Sequence, residues 1–228
     1  MNLNIPYMET DNKLLNDAYR IAAGDIVGNI VYYQNGLLTE EKPCMIAGLD
    51  YNTPWTRDTA INIWNALSIL SPEVSKNTLL AVLEEEEGNI YIGGQYWDSI
   101  IWMIGAREYC RFHKDDNFYR LAFEAGRNSV HRLEEDEFDE EDGLFRGPAV
   151  YGDGIAAYPD KYSKCPNQGS GILEWVDYPG NPVYPKGYGI PMKALSTNCV
   201  YFKPMKFWQR WPMRLASPRK SSRKKRQP

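Results

Sequence analysis

Residues 96–133 read YWDSIIWMIGAREYCRFHKDDNFYRLAFEAGRNSVHRL. Trp97, Ile100, Ile101 and Ile104 repeat at three- and four-residue spacing, and Phe118, Leu121, Ala122 and Ala125 do the same further on. That spacing puts each set on one face of a helix. The polar link HKDDN, 113–117, is too short for anything but a turn, so the two helices are expected to fold back on each other as a helical hairpin.

The same period extends outward from this pair. Leu14, Ala18, Ile21 and Ala22 predict a helix inside 11–31. Ile63, Ala66, Leu67 and Leu70 predict another, capped by Asp58 or Thr59 and stopped by Ser71-Pro72. Leu79, Val82 and Leu83 predict a third, with EEEEGN, 84–89, as its exposed end. The expected fold class is therefore all-α, built from helical hairpins.

The chain has 228 residues, of which 43% are hydrophobic and 13% aromatic, enough for a real core. Of its 26 Lys and Arg, ten lie in 203–228, where there is no acid, so the preceding body carries 16 bases against 30 acids. Such a body repels a polyanion, which argues against nucleic acid as a partner even though the basic tail alone resembles a polyanion-binding arm. The start, MNLNIPYMETDNKLLNDAY, has neither a basic region followed by an apolar one nor a span of about 18 apolar residues, so a cytoplasmic chain without a membrane partner is expected. Cys44, Cys110, Cys165 and Cys199 lie far apart, with only His113 and His131 to join them, so no metal site and no cofactor is expected. EEDEFDEEDG, 134–143, lacks the alternation of a calcium loop and reads as a solvated helix end.

Between the helical stretches lie CMIAGLDYNTPWTRD (44–58), IYIGGQYWD (90–98) and a segment of some forty residues from GLFRGPAVYGD (143–153) onward, all rich in Gly, Pro, aromatic residues and Asp. Long loops of this kind in a compact domain usually carry function. Aromatic rings beside carboxylates suit a carbohydrate, which offers a C–H face for stacking and hydroxyls for charge-assisted hydrogen bonds. Each has a plainer structural reading: Arg57–Asp58 as a surface pair or cap, Trp97–Asp98 as a core ring beside an N-cap, and Tyr151 with Asp153 as a turn.

Three blocks read in order add a resemblance. GLDYNTPWTRDTAINIWNALSIL (48–70) resembles the W-x-R-D-T segment of six-hairpin glycosidases, in particular the α-1,6-glucosidase domain of glycogen-debranching enzymes and glycoside hydrolase family 63. Residues 96–133 resemble the helix pair that follows in those proteins, and LEWVDYPGNPVYPKGYGIPMKALSTNCVYF (173–202) is similar to their W-M-D…N-A-L-W-Y block. The resemblance implies an (α/α)6 toroid, with residues 1–202 as the N-terminal portion of the domain, and hydrolysis of a glycosidic bond with inversion. It implies Asp177 as general acid, its carboxyl kept protonated by a wall of Trp175 and Tyr178. It implies sugar contacts from Trp55, by stacking, from Arg57 and Asp58, by hydroxyl recognition, and from Trp97, Asp98, Arg146, Tyr151 and Asp153.

Departures from that pattern shape the expectation. The Glu that debranching enzymes carry before N-A-L-W-Y is replaced here by Met192-Lys193-Ala194-Leu195-Ser196-Thr197-Asn198, which leans toward smaller glycosides. No acid follows Asp177, whereas inversion needs a second carboxylate about 6.5–9.5 Å from the first. Prolines 204, 212 and 218 also predict that the helix after Pro191 fails near 202–204, leaving 203–228 as a non-native or disordered tail on an incomplete, inactive enzyme. A sugar-binding module without turnover is the alternative. An epimerase is disfavoured, because His113 and His131 both lie in polar, surface-like stretches.

Overall fold

The structure is a computed structural model that describes residues 5–94, 97–147 and 193–208, with side chains through Phe202. Its elements in chain order are α1 (Lys13–Gly28), β1 (Ile30–Tyr33), β2 (Lys42–Met45), α2 (Thr56–Asn62), a π-helical turn (Ile63–Leu67), α3 (Ser68–Leu70), α4 (Pro72–Ala81), β3 (Leu83–Glu86), β4 (Asn89–Ile92), α5 (Asp98–Phe112), α6 (Asp116–Glu137), β5 (Phe138–Asp139), β6 (Leu144–Phe145) and α7 (Leu195–Trp208).

The all-α toroid expected from sequence is not what forms. Three antiparallel two-stranded sheets, β1–β2, β3–β4 and β5–β6, stand between the helices, and the fold is mixed α and β. The clearest departure is EEEEGN. Instead of ending α4, it pairs Leu83 with Ile92 and Glu86 with Asn89 across a two-residue turn. Glu87 and Gly88 sit at φ +51° and +79°, the left-handed pair that matches the twist of a tight hairpin. Four successive glutamates carry no β pattern of their own. Tertiary partners supply what is missing, since Arg132 grips Glu86 at 2.6 and 3.2 Å and covers the Tyr91 ring at 3.5 Å.

Strand β4 would expose an open edge, and α5 and α6 close it with side chains. Ile92 N–H donates to Ser129 Oγ (2.8 Å), Ser99 Oγ donates to the Ile92 carbonyl (3.1 Å), and Asn128 Nδ2 donates to the Ile90 carbonyl (3.0 Å). The C-terminus of α4 is satisfied in the same way. Its Leu80 carbonyl accepts from Leu37 N–H (3.1 Å) and its Ala81 carbonyl from Asn35 Nδ2 (3.3 Å). Gly36, at φ +59°, allows that approach, because a Cβ there would meet the Leu80 and Leu83 carbonyl oxygens at 2.6 Å.

Helices α2 and α5 pack against each other through the main core. Trp102 is fully buried at its centre, its indole N–H donating to the Leu79 carbonyl (3.3 Å), with Ile63, Leu67, Leu79, Leu83, Ile100 and Ile101 also buried. Helix α1 has the expected period but buries none of its residues: Leu14 and Ile21 are 80% and 65% exposed. The predicted pair α5 and α6 packs together across the link at 113–115, where Asp115 caps α6 by accepting from Phe118 N–H (3.0 Å). EEDEFDEEDG ends α6 and then turns into β5–β6, with Gly143 at φ +69°. Helix α7 does not fail at 202–204; it runs through Pro204 to Trp208. Among the described residues no helix is long and apolar enough to cross a membrane.

Candidate functional site at the N-termini of α2 and α5

Two aromatic-acidic loops deliver their residues to one place. The first ends in extended backbone at Trp55, the N-cap of α2, so that Thr56, Arg57 and Asp58 form the first turn. The second passes through Gly93 and Gly94 and enters α5 at Trp97, with Asp98 in the first turn. Asp58 and Asp98 thus lie near the partially positive ends of their helices, where a carboxylate is stabilised.

A side-chain lock joins the two. Arg57 Nε lies 3.3 Å from Asp98 Oδ1, and the Arg57 guanidinium carbon sits 4.4 Å from the centre of the Trp97 ring. Both ion-pair side chains are largely buried. Thr56 Oγ1 donates to the Gly93 carbonyl (2.9 Å) and binds the loop to the helix start. Gly94, at φ +103°, packs tightly against the starts of both helices. A Cβ there would stand 2.8 Å from Asp98 Cβ and 3.0 Å from both Asp98 Oδ2 and Thr56 Oγ1, so only glycine lets the carboxylate reach Arg57.

The two tryptophans divide their roles by exposure. Trp97 is 3% exposed and covered by Arg57, so its ring supports the guanidinium and offers no open stacking face. Trp55 is 50% exposed and Tyr51, 52% exposed, meets it edge-on at 5.9 Å. Together they form an accessible aromatic corner beside the ion pair.

Of the residues singled out from sequence, Arg57, Trp97 and Asp98 touch directly, and Trp55 and Asp58 flank Arg57 on the same turn. Arg146 is engaged at the β5–β6 hairpin. Its side chain pairs with Asp139 (2.9 Å) and its N–H donates to the Glu137 carbonyl (2.8 Å). Asp139 also receives Lys193 (2.7 Å), and that contact, with Arg146 beside it, holds the carboxyl below the usual carboxylate range. Tyr151, Asp153, Trp175, Tyr178 and Asp177 lie outside the described residues.

No family model, no curated protein and no solved structure matches the chain. Sequence reasoning missed three members of the site, Tyr51, Thr56 and Gly94. Tyr51 has no periodic context, Thr56 looks like one more helix-start residue, and the Gly93-Gly94 pair signals a turn without saying what approaches it. Among the described residues no group of three or more His, Cys, Asp or Glu side chains is arranged to hold a metal ion.

Proposed function

We propose that the chain recognises a carbohydrate at the N-termini of α2 and α5, in the service of glycosidic-bond hydrolysis. The observation that carries the reading is the Arg57–Asp98 pair held over Trp97 next to the exposed Trp55–Tyr51 corner. A sugar's apolar face matches the open rings, and its hydroxyls match a carboxylate and a guanidinium whose orientations are already set. Preset geometry matters here, because a flexible pair would lose ordering entropy on binding.

The hydrolytic part of the proposal is supported by the resemblance of the three sequence blocks, with Asp177 in the general-acid role and Trp175 beside it. Arg57 and Asp98, bound to each other, suit the holding of hydroxyls; proton transfer is assigned to Asp177.

Binding is tested by calorimetry against a panel of gluco-, galacto- and manno-oligosaccharides. Trp55→Ala is expected to weaken the best ligand by at least about fivefold while leaving the melting curve in place, since this ring is half exposed. Absence of binding across the panel, or binding indifferent to Trp55→Ala, would overturn the reading. If any member of the panel is hydrolysed, Asp177→Asn is expected to abolish turnover and to leave binding intact.

A further inference from the structure

Each glycine of the Gly93-Gly94 loop has a carboxylate where its own side chain would begin. At Gly94 the carboxylate is that of Asp98. At Gly93 it is that of Glu84 in β3: a Cβ there would stand 2.5 Å from Glu84 Oε1 and 2.9 Å from the Val82 carbonyl oxygen. Unlike Gly94, Gly93 does not have a positive φ, so its backbone conformation does not call for glycine. What glycine supplies at this position is room for the glutamate.

The hairpin register brings Glu84 there. Its cross-strand neighbour is Tyr91, and Gly93 N–H donates to the Val82 carbonyl (2.9 Å), which continues the ladder and makes Gly93 the diagonal neighbour of Glu84 on the same face. Glu86, the next residue of β3 on that face, goes to Arg132 at 2.6 Å. Glu84 is exposed, yet its carboxyl lies back along the strand toward the loop that enters α5. Neighbouring Cα atoms are about 3.8 Å apart, so the Glu84 and Asp98 carboxylates are separated by no more than about 12 Å, with the Gly93-Gly94 backbone between them. That distance is within the span of two linked sugar rings.

We propose that Glu84 is a specificity-determining residue of this site and that the ligand is an oligosaccharide of at least two units. One ring lies at Trp55 and the Arg57–Asp98 pair, and the Glu84 carboxylate accepts hydroxyl groups of the next ring across the glycine loop. The inference rests on the carbohydrate reading of the site. A carboxylate suits the second ring because it takes charge-assisted hydrogen bonds from two hydroxyls at once, each stronger than one to a neutral acceptor.

Calorimetry and ligand-observed NMR with the mono-, di- and trisaccharides of glucose, galactose and mannose test the assignment. In at least one series the disaccharide is expected to bind about fivefold or more tighter than the monosaccharide. Glu84→Ala is expected to remove most of that advantage and to leave the monosaccharide's affinity in place, whereas Trp55→Ala weakens both. Gly93→Ala should reproduce the Glu84→Ala pattern, because its Cβ takes the place of the carboxylate; Glu84→Ala decides the matter where Gly93→Ala does not fold. Glu85→Ala removes the same charge from the same hairpin and should change nothing, and melting curves check that each variant is folded. Binding that responds to Trp55→Ala while the length advantage is absent, or survives Glu84→Ala, overturns this inference alone. So does an equal loss for mono- and disaccharide in Glu84→Ala, or a loss in Glu85→Ala as large as in Glu84→Ala. If none of the sugars binds, or if binding ignores Trp55→Ala, the carbohydrate reading fails and this inference with it.

Discussion

Gly105 of α5 lies directly against the backbone of Ala60 in α2: a Cβ on Gly105 would stand 2.8 Å from Ala60 Cα and 3.0 Å from its carbonyl oxygen. The obstacle is backbone, so no rotamer change relieves it. This contact sets the distance between the helices, and Arg57 and Asp98 sit toward their N-terminal ends, so core packing and site geometry are coupled. Gly105→Ala is a poor test, because its gain of about 1 kcal/mol in helix propensity offsets part of the crowding. Gly105→Val recovers little propensity, and its overpacking is expected to cost about 1–3 kcal/mol in urea unfolding and to weaken sugar binding in parallel. An unchanged midpoint would mean that α2 and α5 separate freely.

The Arg57–Asp98 pair is largely buried, so removing one partner takes a counter-charge from the other where water screens it little. Asp98→Asn or Arg57→Ala alone is expected to cost about 3 kcal/mol, and the double variant distinctly less than the sum. Arg57→Lys should not rescue, since an ammonium can neither cover the Trp97 ring as a plane nor present the guanidinium fork. A double-mutant cycle from denaturant unfolding reads the coupling, and additive single effects would refute the lock.

Asp115 makes stability depend on pH. Burial pushes its carboxyl up, but Lys76 Nζ at 2.6 Å and the N–H groups of Phe118 and Asn117 outweigh it, so the folded pKa lies below the ordinary value of 3.8. A lowered folded pKa means that the unfolded chain binds the proton first. The contribution is therefore complete above the ordinary value and is lost as pH falls from about 4 toward the folded pKa. Asp115→Asn keeps a side-chain cap and should flatten that acid limb. Asp115→Ala also removes the cap of α6, at about 1 kcal/mol near neutral pH. Unfolding followed between pH 2 and about 7 checks both.

Tyr201 packs as a ring and is unsatisfied as a phenol. Its hydroxyl is buried without a hydrogen bond among the described residues, while the ring stacks on Phe145. Tyr201→Phe removes the unpaired group and keeps the stack, so without ligand it is expected to be neutral or to raise stability by about 1 kcal/mol. Tyr201→Ala should cost about 3–5 kcal/mol by opening the junction of α7 with β6. A marked loss of melting temperature in Tyr201→Phe would show that the hydroxyl is satisfied after all.

Local patterns determine a good part of this protein, and they are legible in the chain. The period of Trp97, Ile100, Ile101 and Ile104 marks α5, Pro72 stands at the start of α4, and Asp115 caps α6, because each depends on groups a few residues apart. The W-x-R-D and W-D segments, both visible in the chain, supply the Arg57, Trp97 and Asp98 that meet at the starts of α2 and α5. Tertiary structure decided the rest. Glu84–Glu86 becomes a strand because Arg132, Ser129 and Asn128 of α6 meet that hairpin, and these are partners some forty residues away. Trp55 is open and Trp97 closed for a similar reason: two tryptophans beside aspartates look alike in a sequence, but only one lies beneath the guanidinium that the other's helix supplies. Burial and counter-charge are set by what approaches from elsewhere in the chain, and no local pattern encodes that approach.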